Sequence, residues 1–79
     1  MSLMKRYASD IETLSLRAGY AAWQPTSTLR MAALREVLED CVTAAKVYAN
    51  PRIVTQIFIS VVTKEFMRER TTRTYREAV

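Results

Sequence analysis

The stretch Asn50-Pro51-Arg52-Ile53-Val54-Thr55-Gln56-Ile57-Phe58-Ile59-Ser60-Val61-Val62-Thr63 decides the fold. Ile53, Val54, Thr55, Ile57, Ile59, Val61, Val62 and Thr63 are β-branched, and by residue preference alone such a run suits a strand. Its two ends argue for a helix. Asparagine before proline is an N-cap followed by a first helical residue, because proline lacks only an N–H that the first turn leaves unpaired anyway. After Thr63 the chain continues Lys64-Glu65-Phe66-Met67-Arg68-Glu69-Arg70, a run rich in good helix formers. The reading is a helix over residues 51–77, with a strand over 53–63 as its competitor. At 100° per residue its apolar side chains sweep about 240° of the circumference and leave Gln56, Ser60 and Thr63 as a narrow polar strip. A helix of this kind is expected to be buried nearly all round.

Upstream, the same spacing logic produces two more helices. Met31, Leu34, Leu38, Cys41, Ala45 and Tyr48 follow one another at intervals of three and four, which places them on one stripe of a helix over about 28–48. Thr26, Ser27 and Thr28 supply its candidate caps. Met4, Tyr7, Ile11, Leu14, Ala18 and Ala21 repeat the pattern over about 3–22, with a second possible start near Asp10 through a Ser9–Glu12 capping box. Gln24-Pro25 closes this helix, since proline pushes the preceding residue out of helical geometry. The fold class is all-α: three helices in an antiparallel bundle or an extended helical hairpin arrangement, forming one domain over 1–79.

The chain has 79 residues, 12 Lys plus Arg against 8 Asp plus Glu, one cysteine and no histidine. A unit this small buries only roughly 60% of the surface its unfolded chain exposes, so its own stability margin is thin. Two short partner helices, one of them alanine-lined, cover about half of the apolar third helix. What is left over would either be the centre of a compact bundle or a surface for a partner chain. No stretch reaches the ~20 apolar residues of a membrane span, and no apolar signal core follows Met1–Arg6.

Catalysis finds little support. Cys41 lies on an apolar stripe with no histidine to act as base, and reads as a buried structural thiol. Glu36, Glu39 and Asp40 share one helix face, where a solvated acidic surface is the simpler reading than a cation site. No cofactor is indicated. Tyr20 and Trp23 read as a staple between the first two helices. Arginine outnumbers lysine by nine to three, with Arg68, Arg70, Arg73 and Arg76 crowding the end. Guanidinium groups suit carboxylate or phosphate, and the interleaved Glu65, Glu69 and Glu77 favour an acidic protein surface over nucleic acid.

Ala33-Leu34-Arg35-Glu36-Val37-Leu38, then Tyr48-Ala49-Asn50-Pro51-Arg52 and Val62-Thr63-Lys64-Glu65-Phe66-Met67-Arg68, resemble the LYR-motif family of small mitochondrial helical proteins over residues 31–70. Arg35 matches the motif arginine, Leu38 the downstream leucine and Phe66 the later phenylalanine; Ala33 and Leu34 stand where the family has leucine and tyrosine. The resemblance implies a mitochondrial location, acyl carrier protein as a partner, and contacts to that carrier's acidic helix through Arg35, Lys64 and Arg68. Without it, a cytoplasmic location is the alternative.

The function expected is that of a non-catalytic accessory subunit of a larger protein assembly, of the mitochondrial respiratory or ATP synthase kind. Its expected partner-binding residues are Arg35, Phe58, Lys64, Phe66, Arg68, Arg70 and Arg73. The alternative is a small bacterial or phage regulatory module that binds nucleic acid through its arginine-rich C-terminal helix.

Overall fold

In the computed structural model, which describes residues 2–78, the chain forms α1 (Leu3–Ala22), α2 (Ser27–Ala45) and α3 (Pro51–Ala78), with each helix packed on both others. The competition over residues 53–63 is settled for helix. Asn50 supplies the expected cap: its side-chain oxygen accepts from the Ile53 N–H at 3.5 Å, and its carbonyl from the Val54 N–H at 3.1 Å. Thr26 caps α2 by accepting from the Leu29 N–H at 3.1 Å. α1 starts at Ser2, whose hydroxyl accepts from the Lys5 N–H, and the alternative start near Asp10 is excluded.

One boundary differs from expectation through a long-range contact. α2 ends at Ala45 and not near residue 48, because Tyr48 leaves the helix to fold back on α1. Its hydroxyl donates to Asp10 Oδ2 at 2.7 Å, and its ring meets Tyr7 and Phe58 edge-on at 6.0 Å each. Tyr7 and Phe58 close the triangle at 5.7 Å. The first turns of α1, the α2–α3 loop and the start of α3 are thereby held together, so α1 and α3 run parallel and α2 antiparallel to both.

The core consists of small residues facing large ones. Ala18, Ala21 and Ala22 of α1 and Ala45 and Cys41 of α2 let the helices approach closely, and Phe58, Val62 and Phe66 of α3 fill the space with Leu14 and Val37. Burial of a side chain such as Phe58 contributes about 1.5–3 kcal/mol.

Phe58 and Phe66 are thus interior residues, which corrects the expectation that they anchor a partner. α3 is also not buried all round. Its neighbours cover the Phe58–Val62–Phe66 stripe, while Ile53, Ile57 and Met67 stand exposed on the opposite side. The molecule measures 45 × 21 × 18 Å with a radius of gyration of 13.5 Å, above the roughly 12 Å of a compact chain of this length. The elongation follows from α3, whose 28 residues extend about 42 Å beside much shorter partners.

Candidate functional site

α1 carries a second apolar ridge beside its core stripe. Leu16, Tyr20 and Trp23 lie four and three residues apart, hence on one face, and are 62%, 67% and 41% exposed. They border a groove between α1 and α3 of about 580 Å³. Gly19 and Ser15 complete the α1 side, Glu65 and Glu69 form the α3 wall, and Glu12 marks one end.

Gly19 keeps this groove open by having no side chain. Its backbone is ordinary helix, and a methyl group there would meet only Glu69 Cγ at 3.9 Å, an ordinary contact. Neither the fold's geometry nor its packing requires glycine at this position, although glycine costs a helix interior about 0.5–1 kcal/mol relative to alanine.

Polar contacts hold the walls. Trp23 Nε1 donates to Glu69 Oε2 at 2.8 Å, which fixes the indole between the helices. Arg68 donates to both Glu65 oxygens and to Glu69 Oε1 at 3.2 Å. The hydrogen-bonded Arg68 guanidinium holds the Glu65 carboxyl below the usual range, against the opposing effect of burial. Along the walls three carboxylates stand against the one guanidinium of Arg68, so the long edges are net acidic, while Arg73 and Arg76 place positive charge at the Trp23 end. The groove therefore presents an apolar floor with negative edges, complementary to an amphipathic helix with cations flanking its apolar face.

At the groove's end the backbone explains the arginines. α1 stops before Pro25 without the left-handed glycine that commonly closes a helix, and its last carbonyls need donors from elsewhere. Arg70 donates to the Ala22 carbonyl at 3.4 Å, Arg73 to those of Trp23 and Gln24, and Arg30 to that of Gln24 at 3.1 Å. Arg73 and Arg76 also lie over the Trp23 ring, 5.3 and 5.9 Å from its centroid. Arg70 and Arg73 thus serve as an internal helix cap, which corrects their expected role as outward docking groups. Trp23 packs on α3 and Tyr20 is exposed, so neither forms the staple to α2 that the sequence suggested.

The other expected residues are dispersed. Arg35 is exposed on α2, its nearest carboxylate being Glu39 at 3.8 Å, and Lys64 is exposed on α3. No polar contact among the described residues joins Arg35, Lys64 and Arg68. Asp40 leaves the expected acidic face to pair with Arg17 of α1, the sole partner of an otherwise unsatisfied buried oxygen. Cys41 sits in the core, where burial, with Asp40 adding to it, pushes its thiol up to about 11.

The sequence reading passed over Leu16, Gly19 and Glu69 as groove residues. Two signals were present: an apolar ridge displaced from the core stripe, and the chain's single glycine placed within the last turn of a helix.

Fold and groove together define a three-helix bundle with an amphipathic cleft between α1 and α3. Compared with protein families, curated proteins and solved structures, the chain matches none.

Proposed function

We propose that this chain is a non-catalytic accessory subunit, which seats a basic amphipathic helix of a partner protein in the α1/α3 groove. The observation that carries the reading is the Leu16–Tyr20–Trp23 ridge, three large side chains exposed side by side over an acidic-rimmed cleft. Aromatic anchors of this kind dominate binding energy at interfaces. A mitochondrial respiratory or ATP synthase complex is the proposed assembly, supported by the resemblance over residues 31–70 and by the exposure of Arg35 and Lys64. Acyl carrier protein is the partner that resemblance proposes. The nucleic-acid alternative draws no support from Arg68, Arg70 and Arg73, whose guanidinium groups bond within the chain.

The test is purification of the native chain with its bound partner, repeated with Leu16→Asp/Tyr20→Asp. Because both positions are exposed, the variant should keep its melting temperature while partner affinity falls by a factor of about 30 or more, the scale of a lost anchor pair. A chain that is recovered alone and sediments as a monomer, or a double variant that assembles like the wild type, overturns the reading.

A further inference from the structure

The end of the bundle where α1 and α3 begin presents a different chemistry, independent of the groove. The Tyr7–Tyr48–Phe58 contacts and the Asp10–Tyr48 hydrogen bond bring the first turns of α1, the α2–α3 loop and the first two turns of α3 together. Leu3, Met4, Lys5 and Arg6 come from α1, Lys46 and Val47 from the loop, and Arg52 and Ile53 from α3; every one of them is exposed. Residues 2–10 and 46–54 hold four cations and one carboxylate, Asp10; the remaining chain holds eight cations and seven carboxylates. Most of the net positive charge is concentrated at this one end.

The four cations have no internal use, which they share with Lys64 of α3 but not with most of the other arginines. Among the described residues, the side chains of Lys5, Arg6, Lys46 and Arg52 make no ion pair and no hydrogen bond, whereas Arg17, Arg30, Arg68, Arg70 and Arg73 are all engaged. Asp10, whose Oδ2 accepts the Tyr48 hydroxyl, is the one carboxylate among them and leaves this end with a net charge of three positives. Alternating with the cations are four large apolar side chains, Leu3, Met4, Val47 and Ile53, with Met4 83% exposed.

We infer that this end is a peripheral membrane-binding face that takes a bilayer surface rich in anionic phospholipid. Cations meet lipid phosphates and carboxylates electrostatically, and apolar side chains between them enter the boundary of headgroups and acyl chains. Nucleic acid would use the cations but leave the four apolar groups without a role, so the mixture favours lipid. The attachment is superficial: among the described residues, no helix is long and apolar enough to cross a membrane. Met4 and Tyr20, sixteen residues apart on α1, lie about 24 Å apart along its axis, so a docked chain keeps the groove clear of the bilayer.

Vesicle flotation of the full chain tests this. Vesicles of phosphatidylcholine with about one third phosphatidylserine should bind at least about tenfold more tightly than phosphatidylcholine alone, and the preference should shrink as salt rises. Lys5→Glu/Arg6→Glu should lose about tenfold, and Leu3→Ser/Met4→Ser severalfold at unchanged charge. Lys46→Glu/Arg52→Glu provides the same charge test from the other elements, should either α1 variant fail to fold. No binding, equal binding to both vesicle types, affinity insensitive to Leu3→Ser/Met4→Ser in a folded chain, or tighter binding to a short DNA duplex overturns the inference.

Discussion

Two groups of aromatic side chains sit at opposite ends of α1 and meet opposite fates. Tyr7 at the start of the helix turns inward to Tyr48 and Phe58, and the three rings tie together three elements that are distant in sequence. Tyr20 and Trp23 at its end stay at the surface, with Trp23 positioned by Glu69 and by the Arg73 and Arg76 guanidinium groups. Aromatic content by itself therefore says nothing about burial. What differs is the neighbour across the helix interface: a loop that folds back at one end, and a row of charged α3 residues at the other. The inward group contributes to stability, and the outward group is left over for binding.

The largest effect that sharpens this contrast is Phe58→Ala. It removes a fully buried ring and should cost about 3–5 kcal/mol, read by thermal or urea denaturation of the free chain. Tyr20→Ala should stay within about 0.5 kcal/mol of wild type. Equal losses from the two would erase the distinction.

Arg73→Ala comes next. It removes the Arg73 donor to the Trp23 carbonyl, one of the two donors to that of Gln24, and a cation from the indole, at a cost of about 1–2 kcal/mol. Amide hydrogen exchange should quicken in the last turn of α1 and remain unchanged near Tyr7. Faster exchange throughout α1 would mean that the two ends are not independent.

Tyr48 offers a test by pH. Burial, followed by the hydrogen bond to Asp10, pushes its phenol up to about 12 from the ordinary 10. A raised value in the folded state means that the fold favours the neutral phenol. The stabilisation is complete below pH 10 and is lost as pH rises from about 10 toward 12. Tyr48→Phe should cost about 1 kcal/mol at neutral pH and remove that share of the alkaline decline, leaving the share from Cys41, which starts lower, near pH 9. An unchanged alkaline slope in Tyr48→Phe would show that the ring triangle owes nothing to the hydroxyl.

The smallest effect has the opposite sign. Gly19→Ala fits the groove floor and should stabilise the chain by about 0.5–1 kcal/mol, seen as a higher melting temperature. A loss of stability instead would mean that the two helix walls approach each other more closely than 3.9 Å in solution.

Helix positions were legible because their signals are local. Thr26 and Asn50-Pro51 act on backbone groups within four residues of themselves, and the stripes from Tyr7 to Ala21 and from Leu34 to Ala45 lie on faces that do pack inward. The groove was only half legible. Leu16, Tyr20 and Trp23 can be placed on one ridge by counting, but the Glu65–Glu69 wall opposite them lies more than forty residues away.

The sequence by itself determined three helices and their starts, since caps, prolines and three-four spacing depend on neighbours along the chain, whereas the end of α2 at Ala45 was set by the tertiary contacts of Tyr48. Only the tertiary structure decided which side of α3 is inside. Eight apolar side chains spread over about 240° offer several faces of similar hydrophobicity. The alanines of α1 and α2 admit Phe58, Val62 and Phe66, while Ile53 and Ile57 remain outside. The same holds for the arginines. Their number is written in the chain, but Arg70 and Arg73 become a helix cap only because parallel packing of α1 and α3 sets them beside carbonyls that Pro25 left without donors.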